Sequence, residues 1–315
     1  MRTGISTLVD LEIPLPRLLE LIASTGFDCV GLSHSVEHSG YHTPSGRREI
    51  RRLLETYGLE LDYIHPPIQA YYDLTSMDEQ VRRVGIEITK MSIGACAELG
   101  GRAITVHLCN TKQFPREELT ERADAGLRSL EELLPIAADA GVLFCAENLP
   151  GNFAANAVTL EVLRRYDGEG LWVTLDPNHA WIGSDDPLGL VRELAPRVRA
   201  THICDNFGRA DSHLLPFTGK VDFRGVGQAL SAAGFSTERG DVVNLECSVG
   251  MQRRRVHSGK LHEGDPGWRP PEANKAIKAE RMFGVEPPST GDYLMMAHSA
   301  ASRIAAQIEG QAQAA

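Results

Sequence analysis

Short apolar runs alternate with longer amphipathic stretches along almost the whole chain. Eight of the runs have the length and composition of β-strands, at residues 2–7, 28–33, 59–65, 103–108, 142–148, 171–176, 199–204 and 242–247. Most of them are nearly continuous in apolar residues, as expected for parallel strands that are buried on both faces. The pattern therefore predicts a parallel sheet.

The segments between these runs carry apolar residues at the spacing of amphipathic helices. Predicted helices cover residues 14–26, 79–101, 116–141, 159–166, 186–194, 222–234 and 293–310. The first has prolines near its start, and several of them stop at a glycine. Such an alternation of strands and helices is typical of an α/β protein with a (β/α)₈ TIM barrel, here a single domain that spans residues 1–315.

A doubly wound open sheet is the alternative arrangement. It usually carries a glycine-rich phosphate loop after an early strand, and the chain has neither a GxGxxG nor a GxxxxGK[ST] motif. The barrel is therefore the predicted fold, and no nucleotide cofactor is expected.

Two connections are longer than most barrel loops. Residues 34–46 follow strand 2, and residues 249–290 form a long insertion after strand 8. Both would overhang the mouth of a barrel, where the second could act as a lid or substrate clamp or form a subunit contact. Residues 311–315, QAQAA, are expected to form a frayed tail.

The net charge of −10 argues against a nucleic-acid partner, because such proteins usually present a basic face. No apolar run is long enough to span a bilayer, and the N-terminus lacks the apolar core of a signal peptide. The six cysteines are scattered without a CxxC pair, as expected for small buried residues in a reducing compartment. We expect a cytoplasmic protein without membrane contact that forms a homo-oligomer, a dimer or a tetramer.

Ionisable side chains stand at or near the ends of six consecutive predicted strands. They are His65, His107, Glu147, Asp176, His202 and Glu246, and the segments after strands 6 and 7 add His179, Asp205, Asp211 and His213. The carboxyl ends of barrel strands meet at one rim, where active sites form. Burying so many ionisable groups there without partners is costly, and a divalent cation removes that cost by making them ligands.

Mixed oxygen and imidazole donors suit Mn²⁺, Zn²⁺, Co²⁺, Fe²⁺ or Mg²⁺ better than metals that prefer thiolates. We therefore predict a divalent metal cofactor, with Mn²⁺ as the first expectation. His202 lies on a predicted strand and can be a direct ligand. Asp211 and His213 lie on the following loop, where they would form an outer shell or bind a second metal.

Several short stretches resemble one known superfamily in their order and spacing. They are AEN at 146–148, LDPNHAW at 175–181, HICDN at 202–206, DSHLLPFTGKVDF at 211–223 and LEC at 245–247. The chain resembles the xylose isomerase-like barrel superfamily over residues 2–248. Members of this superfamily include sugar and sugar phosphate isomerases and epimerases, and abasic-site nucleases of the endonuclease IV type.

The two groups imply different ligand sets. The ketose 3-epimerase pattern makes Glu147, Asp176, His202 and Glu246 the four ligands of one catalytic metal, and His179 a substrate-binding residue beside it. The nuclease pattern uses nine ligands for a metal cluster, and its candidates here are His65, His107, Glu147, Asp176, His179, His202, Asp211, His213 and Glu246. The stretches HPPIQAYYDL after strand 3 and HLCN after strand 4 depart from the nuclease pattern.

The resemblance implies, first, a metal-dependent isomerase or epimerase that acts on a sugar, a sugar phosphate or a keto-sugar. A proton next to a carbonyl would be removed, and the metal would stabilise the resulting enediolate. Glu147 and Glu246 would serve as base and acid, and His179 would orient a substrate oxygen. Further candidates for substrate contacts are His65, His107, Trp181, Asp205 and Arg209.

Two other activities stay open at this point. One is a metal-dependent phosphodiesterase that cleaves abasic DNA. The other is a lyase or dehydratase that acts on a keto-sugar or a glycoside, which shares the proton abstraction and differs in what leaves. The loops that would distinguish the substrates follow no residue rule that identifies them.

Overall fold

The computed structural model describes residues 1–250 and 288–312 of the chain. All eight predicted strands are present within these residues. They are β1 (Arg2–Ser6), β2 (Cys29–Leu32), β3 (Glu60–Ile64), β4 (Ala103–Val106), β5 (Leu143–Glu147), β6 (Leu171–Leu175), β7 (Val198–Thr201) and β8 (Val242–Leu245). Each is shorter than the apolar run that predicted it, because the last one to three positions of each run belong to the loop that follows.

The strands form one parallel sheet in the order β7-β6-β5-β4-β3-β2-β1-β8. Between β7 and β8 the sheet is joined by a single parallel bridge from Ile203 to Leu245. There the Ile203 amide donates to the Asn244 carbonyl at 2.9 Å, and the Glu246 amide donates to the Ile203 carbonyl at 3.0 Å. The sheet is therefore a nearly closed eight-stranded barrel, which confirms the predicted fold.

Helices cover the outside of the barrel. Within the described residues they are α1 (Leu15–Ser24), α2 (Val36–Ser39), α3 (Pro44–Tyr57), α4 (Glu79–Glu98), α5 (Leu119–Asp139), α6 (Ala154–Arg165), α7 (Pro177–Ala180), α8 (Pro187–Leu194), α9 (Phe223–Ala232) and α10 (Thr290–Ala312). None of them combines the length and the apolar composition that a bilayer crossing needs.

The segment after strand 2 differs from its prediction as a long connection. Residues 34–46 contain α2 and the first turn of α3. The apolar pattern did not single out α3, because only Ile50, Leu53 and Leu54 of its fourteen residues are buried. Its sequence is otherwise strongly polar, so the apolar stripe is narrow.

Two other predicted segments fall largely outside the described residues. The insertion predicted at 249–290 lies outside them from 251 to 287. Of the tail predicted at 311–315, the first two residues continue the backbone of α10, and residues 313–315 lie outside the described part.

Alternation along the strands determines what reaches the mouth of the barrel. A small cluster inside the barrel consists of Tyr63, Ala103, Cys145 and Ala200. The apolar residues next to them along the strands belong to the separate main core. Successive side chains on a strand point to opposite faces. Residues two positions after an inward one therefore also point inward, which brings His65, Glu147 and His202 to the upper end of the barrel interior.

Arginine ion pairs occupy the opposite end, where the strands begin. An Arg102 nitrogen lies 2.6 Å from Asp62 Oδ1, and Asn244 Nδ2 donates to Asp62 Oδ2 at 3.0 Å. Arg199 Nε lies 3.1 Å from Asp241 Oδ1. Asp62 and Asp241 are both buried, so each buried carboxylate at this end has a guanidinium partner.

Candidate active site and metal centre

A cavity of about 280 Å³ opens at the carboxyl ends of the strands. Most of the predicted site residues line it, together with one histidine outside the prediction. The histidines and carboxylates that line the cavity are His34, His65, His107, Glu147, His179, Asp211, His213 and Glu246. Residues from widely separated parts of the chain therefore meet in one cavity. This is what the strand-end rule predicts, by which the active site of a barrel forms at the carboxyl ends of its strands.

Glu147 is the central residue of this cluster. Its Oε1 accepts from His202 Nδ1 at 3.0 Å, and its Oε2 lies 3.1 Å from His107 Nε2 and 3.5 Å from His65 Nε2. His65 Nδ1 donates to the Pro66 carbonyl at 2.7 Å, which leaves Nε2 facing Glu147. Each oxygen of one carboxylate therefore meets different imidazoles.

The predicted four-ligand set is divided between two groups of atoms. Glu147, His202 and Glu246 offer ligand atoms that all lie within 4.8 Å of one another, and His202 Nδ1 is 3.3 Å from Glu246 Oε2. Asp176 instead groups with Glu147 and His179, and a third group consists of His65, His107 and Glu147. Glu147 belongs to all three groups that the described residues form.

Local backbone structure positions Asp176 and His179. Asp176 caps the single turn of α7, where its carboxylate accepts the His179 amide at 3.1 Å and Pro177 fixes the first helical position. That turn places the His179 side chain over the barrel, with Nδ1 2.8 Å from the Asn148 carbonyl. The Asn148 side chain in turn bonds both the amide and the carbonyl of Asp176, at 2.8 and 2.7 Å.

Asp211 and His213 fold back from the loop after β7. His213 Nδ1 donates to the Glu246 carbonyl at 2.6 Å, and its Nε2 lies 3.2 Å from Asp211 Oδ2. The same Asp211 oxygen lies 3.4 Å from His179 Nε2, and Asn178 Nδ2 donates to the other oxygen at 2.8 Å. The loop pair therefore contacts the strand-end residues directly.

The charges of the cluster balance between carboxylates and imidazoles. Burial opposes ionisation of Glu147 and Glu246, but His202 outweighs it and holds the pKa of Glu147 well below its ordinary value and that of Glu246 at about 2. Burial, with Glu147 and Asp211 nearby, raises the pKa of Asp176 to about 7, against the effect of His179. At neutral pH Glu147 and Glu246 are therefore ionised.

The donor set fits a divalent cation. Glu147, Asp176 and Glu246 are buried, and no lysine or arginine of residues 1–250 and 288–312 forms an ion pair with any of them. Their partners are imidazoles, which become metal ligands when they lose a proton. Burial raises the pKa of the neighbouring Cys204 well above its ordinary value, so this thiol stays protonated and the available donors are oxygen and nitrogen.

Three residues predicted to contact substrate do not line the cavity. Asp205 is buried, and its carboxylate accepts backbone amides from Asn206, Gly219 and Val221 at 2.8, 2.7 and 3.1 Å. Its oxygens hold the 205–221 loop in shape, and its role as a sugar contact stays a prediction. Trp181 packs against the core, and Arg209 is exposed on that loop.

Sequence reasoning missed His34, Lys112 and Phe153, which also line the cavity. The His34 ring lies 5.7 Å from the His65 ring, and burial lowers its pKa to about 4. His34 directly follows predicted strand 2, so the strand-end rule would have found it. Lys112 and Phe153 lie several residues beyond their strands, where that rule gives no signal.

Comparison with known proteins places these features in a wider group. The chain is 28% identical over 244 residues to the uncharacterized protein MJ1311 of Methanocaldococcus jannaschii, covering 75% of this chain and 81% of that protein. It is 22% identical to fructoselysine 3-epimerase of Shigella flexneri, covering 71% and 83%. A solved D-tagatose 3-epimerase-like protein matches with a TM-score of 0.68 and 25% identity over 90% of this chain and 100% of that one.

The same group appears in the comparison with family models. The model described as xylose isomerase-like TIM barrel matches residues 19–247, which contain seven of the eight strands and every predicted ligand. The chain therefore belongs to the xylose isomerase-like TIM barrel family.

Proposed function

We propose that the protein is a divalent-metal-dependent isomerase or epimerase that acts on a sugar, a sugar phosphate or a keto-sugar. One observation carries this proposal. The buried carboxylates of Glu147 and Glu246 line the same cavity and lie 3.0 and 3.3 Å from the same nitrogen of His202. Two ionised carboxyl groups that share a site and an imidazole are suited to removing and returning a proton.

Glu147, His202 and Glu246, with Asp176 as the fourth ligand, would hold the metal ion, and Mn²⁺ is the first choice for these donors. When bound, the ion would polarise the substrate carbonyl and stabilise negative charge as an adjacent proton leaves. His179, His65 and His107 line the cavity around this set and would bind substrate hydroxyls.

The carboxylates would carry the proton transfer. Glu246 removes the proton from the carbon next to the carbonyl, and the electron pair of that C–H bond moves toward the carbonyl oxygen. Glu147, after taking up a proton from water, delivers it to the opposite face of the same carbon. Glu246 returns its proton to water, so the substrate keeps its composition and inverts one centre.

Two relatives support this class of reaction. One is the fructoselysine 3-epimerase of Shigella flexneri, and the other is the D-tagatose 3-epimerase-like protein. Both are matched over most of their own length. The proposal extends the activity in their names to this chain, and leaves the identity of the sugar to experiment.

Deuterium exchange tests the proposal. The Mn²⁺-loaded protein in deuterated water should incorporate deuterium next to the carbonyl of at least one member of a panel of ketoses and 3-keto glycosides. Glu246→Gln should abolish the exchange while most of the metal stays bound. The matched control is Glu193→Gln, because Glu193 is an exposed glutamate on α8 that pairs with Arg164. An absence of exchange across the whole panel would contradict the proposal.

A second candidate, a metal-dependent phosphodiesterase acting on abasic DNA, is favoured by one observation. Glu147 is shared by three groups of metal-competent residues, as a cluster of several ions would require. Against it, Lys112 is the only lysine or arginine among the described residues that line the cavity. Metal content per chain and cleavage of an abasic duplex separate the two. A lyase would show the same exchange and release a second product.

A further inference from the structure

The cavity lining combines two chemically different sets of residues. The histidines and carboxylates come from positions at or near the strand ends and from the loop after β7. Four apolar residues, Ile68, Leu149, Pro150 and Phe153, also line the cavity, and we call them the apolar wall. These residues come from the loops after β3 and β5. The proposed reaction uses the histidines and carboxylates and gives the apolar wall no task.

The apolar wall is built into the fold. The loops after β4 and β5 are tied together by a bond from the Ala155 amide to the Lys112 carbonyl at 3.4 Å and from Gln113 Nε2 to the Asn152 carbonyl at 3.0 Å. The Leu149 amide donates to the buried side chain of Asn156 at 2.9 Å. The wall therefore exists before a ligand arrives, which lowers the entropic cost of binding.

A single cation accompanies the wall. Lys112 Nζ lies 5.3 Å from the centre of the Phe153 ring. Its side chain is exposed at the cavity edge, and it is the only lysine or arginine among the described lining residues. An ammonium group beside an aromatic ring favours a second electron-rich ring nearby, because both ring faces carry negative potential.

A free sugar leaves the apolar wall without a matching group. It carries a hydroxyl on almost every carbon, and a hydroxyl that faced the apolar wall would lose its bonds to water without gaining a partner. A sugar with an aromatic ring attached avoids that loss, since its hydroxyls can meet the imidazoles and carboxylates while its ring packs on Phe153 and Pro150. The two sets of lining residues therefore match a molecule with one polar and one aromatic part.

We propose that the substrate is a keto-sugar joined to an electron-rich aromatic ring, as in an aryl 3-ketoglycoside, with the ring on the apolar wall beside Lys112. This inference rests on the proposed function, because it places the sugar at Glu147 and Glu246. It makes Phe153 and Lys112 the residues that determine specificity.

Calorimetric titration of the Mn²⁺-loaded protein tests this assignment without relying on turnover. The probes are phenyl and methyl glucoside, which differ only in the ring. Phenyl glucoside should bind at least about tenfold more tightly, from the buried ring area and its aromatic contacts. Phe153→Ala should remove that preference. Phe114→Ala is the matched control, because Phe114 is a partly buried aromatic residue outside the cavity, stacked on Arg122.

Lys112→Met provides a second variant that should leave the fold intact, because the Lys112 side chain is exposed. It should weaken 4-hydroxyphenyl glucoside more than phenyl glucoside, since the hydroxyl makes the ring richer in electrons. Equal affinity for the phenyl and methyl compounds, or a preference that survives both variants, would overturn the inference. If ketoses exchange deuterium and neither glycoside binds, the inference fails while the proposed function stands.

Discussion

The two ends of the barrel bury carboxylates with different partners. At the amino ends of the strands, Asp62 and Asp241 pair with Arg102 and Arg199. At the carboxyl ends, Glu147 and Glu246 face imidazoles, and no arginine or lysine of the described residues pairs with them. Both arrangements neutralise buried charge, yet only the second has basic partners that can give up a proton and bind a metal ion.

The difference follows from the two basic groups. A guanidinium keeps its proton under all ordinary conditions, so the lower pairs are complete without any ligand. An imidazole can lose its proton and then has a lone pair for a metal ion. The type of basic partner therefore separates carboxylates that hold the barrel together from those that are available for chemistry.

The largest effect should come from the residue common to all three metal-competent groups. Glu147→Gln keeps the size of the side chain and removes its charge, and we expect metal affinity to fall by more than about 100-fold. The free energy of unfolding of the metal-free protein should fall at neutral pH, since the lowered pKa of Glu147 means that its ionised form stabilises the fold. The loss should be smaller than for a guanidinium pair, because an imidazole can give up its proton when its partner loses its charge. Metal titration and chemical denaturation measure the two effects, with Glu193→Gln as control.

A change at the other end should have the opposite profile. Asp62→Ala leaves Arg102 partly buried without its partner, and we expect the free energy of unfolding to fall by about 3 kcal/mol. Metal affinity should stay within about twofold of the unchanged protein, because Asp62 lies at the strand starts. Loss of metal without loss of stability in this variant would contradict the division between the two ends.

Gly31→Ala tests the packing inside the barrel between its two ends, where the Tyr63 ring lies. An added Cβ would overlap the Tyr63 ring, which lies 4.8 Å from the His202 ring. We expect destabilisation of about 1–3 kcal/mol from overpacking. Metal affinity should also fall, because the displaced ring pushes on His202. Gly94→Ala in α4 is the matched control, with no atom within 4 Å of its added Cβ, and should raise stability by about 0.5–1 kcal/mol.

The smallest effect should come from an ion pair at neither end. Arg164 binds Glu193 at 2.7 and 3.0 Å on the outer surface, where both side chains are about half exposed. Arg164→Ala should change the free energy of unfolding by less than about 1 kcal/mol and leave metal affinity unchanged. A larger loss in denaturation would show that exposed pairs also stabilise this barrel.

The strands were predictable because both of their faces are buried, so the apolar signal is continuous. α3 was missed because a narrow apolar stripe in a polar helix resembles a loop.

The metal-competent residues followed from one rule about strand ends, and His34 obeys that rule although it was overlooked. Nothing in the sequence indicates that the Asp205 carboxylate accepts backbone amides of its own loop, because those hydrogen bonds depend on the folded shape of that loop. Phe153 and Lys112 depend on cross-loop hydrogen bonds, which only the fold reveals.

The pairing of β1 with β8 has a consequence for biosynthesis. Arg2 pairs with Val242 in the register of β1 and β8. β1 therefore cannot form this pairing until a strand about 240 residues later in the chain has been translated. At roughly 5–20 residues per second, the ribosome takes on the order of 10–50 seconds to supply it. During that interval the nascent chain exposes an unpaired strand edge to other chains. Efficient production in a cell would therefore depend on protection of the nascent chain by chaperones until the ring closes.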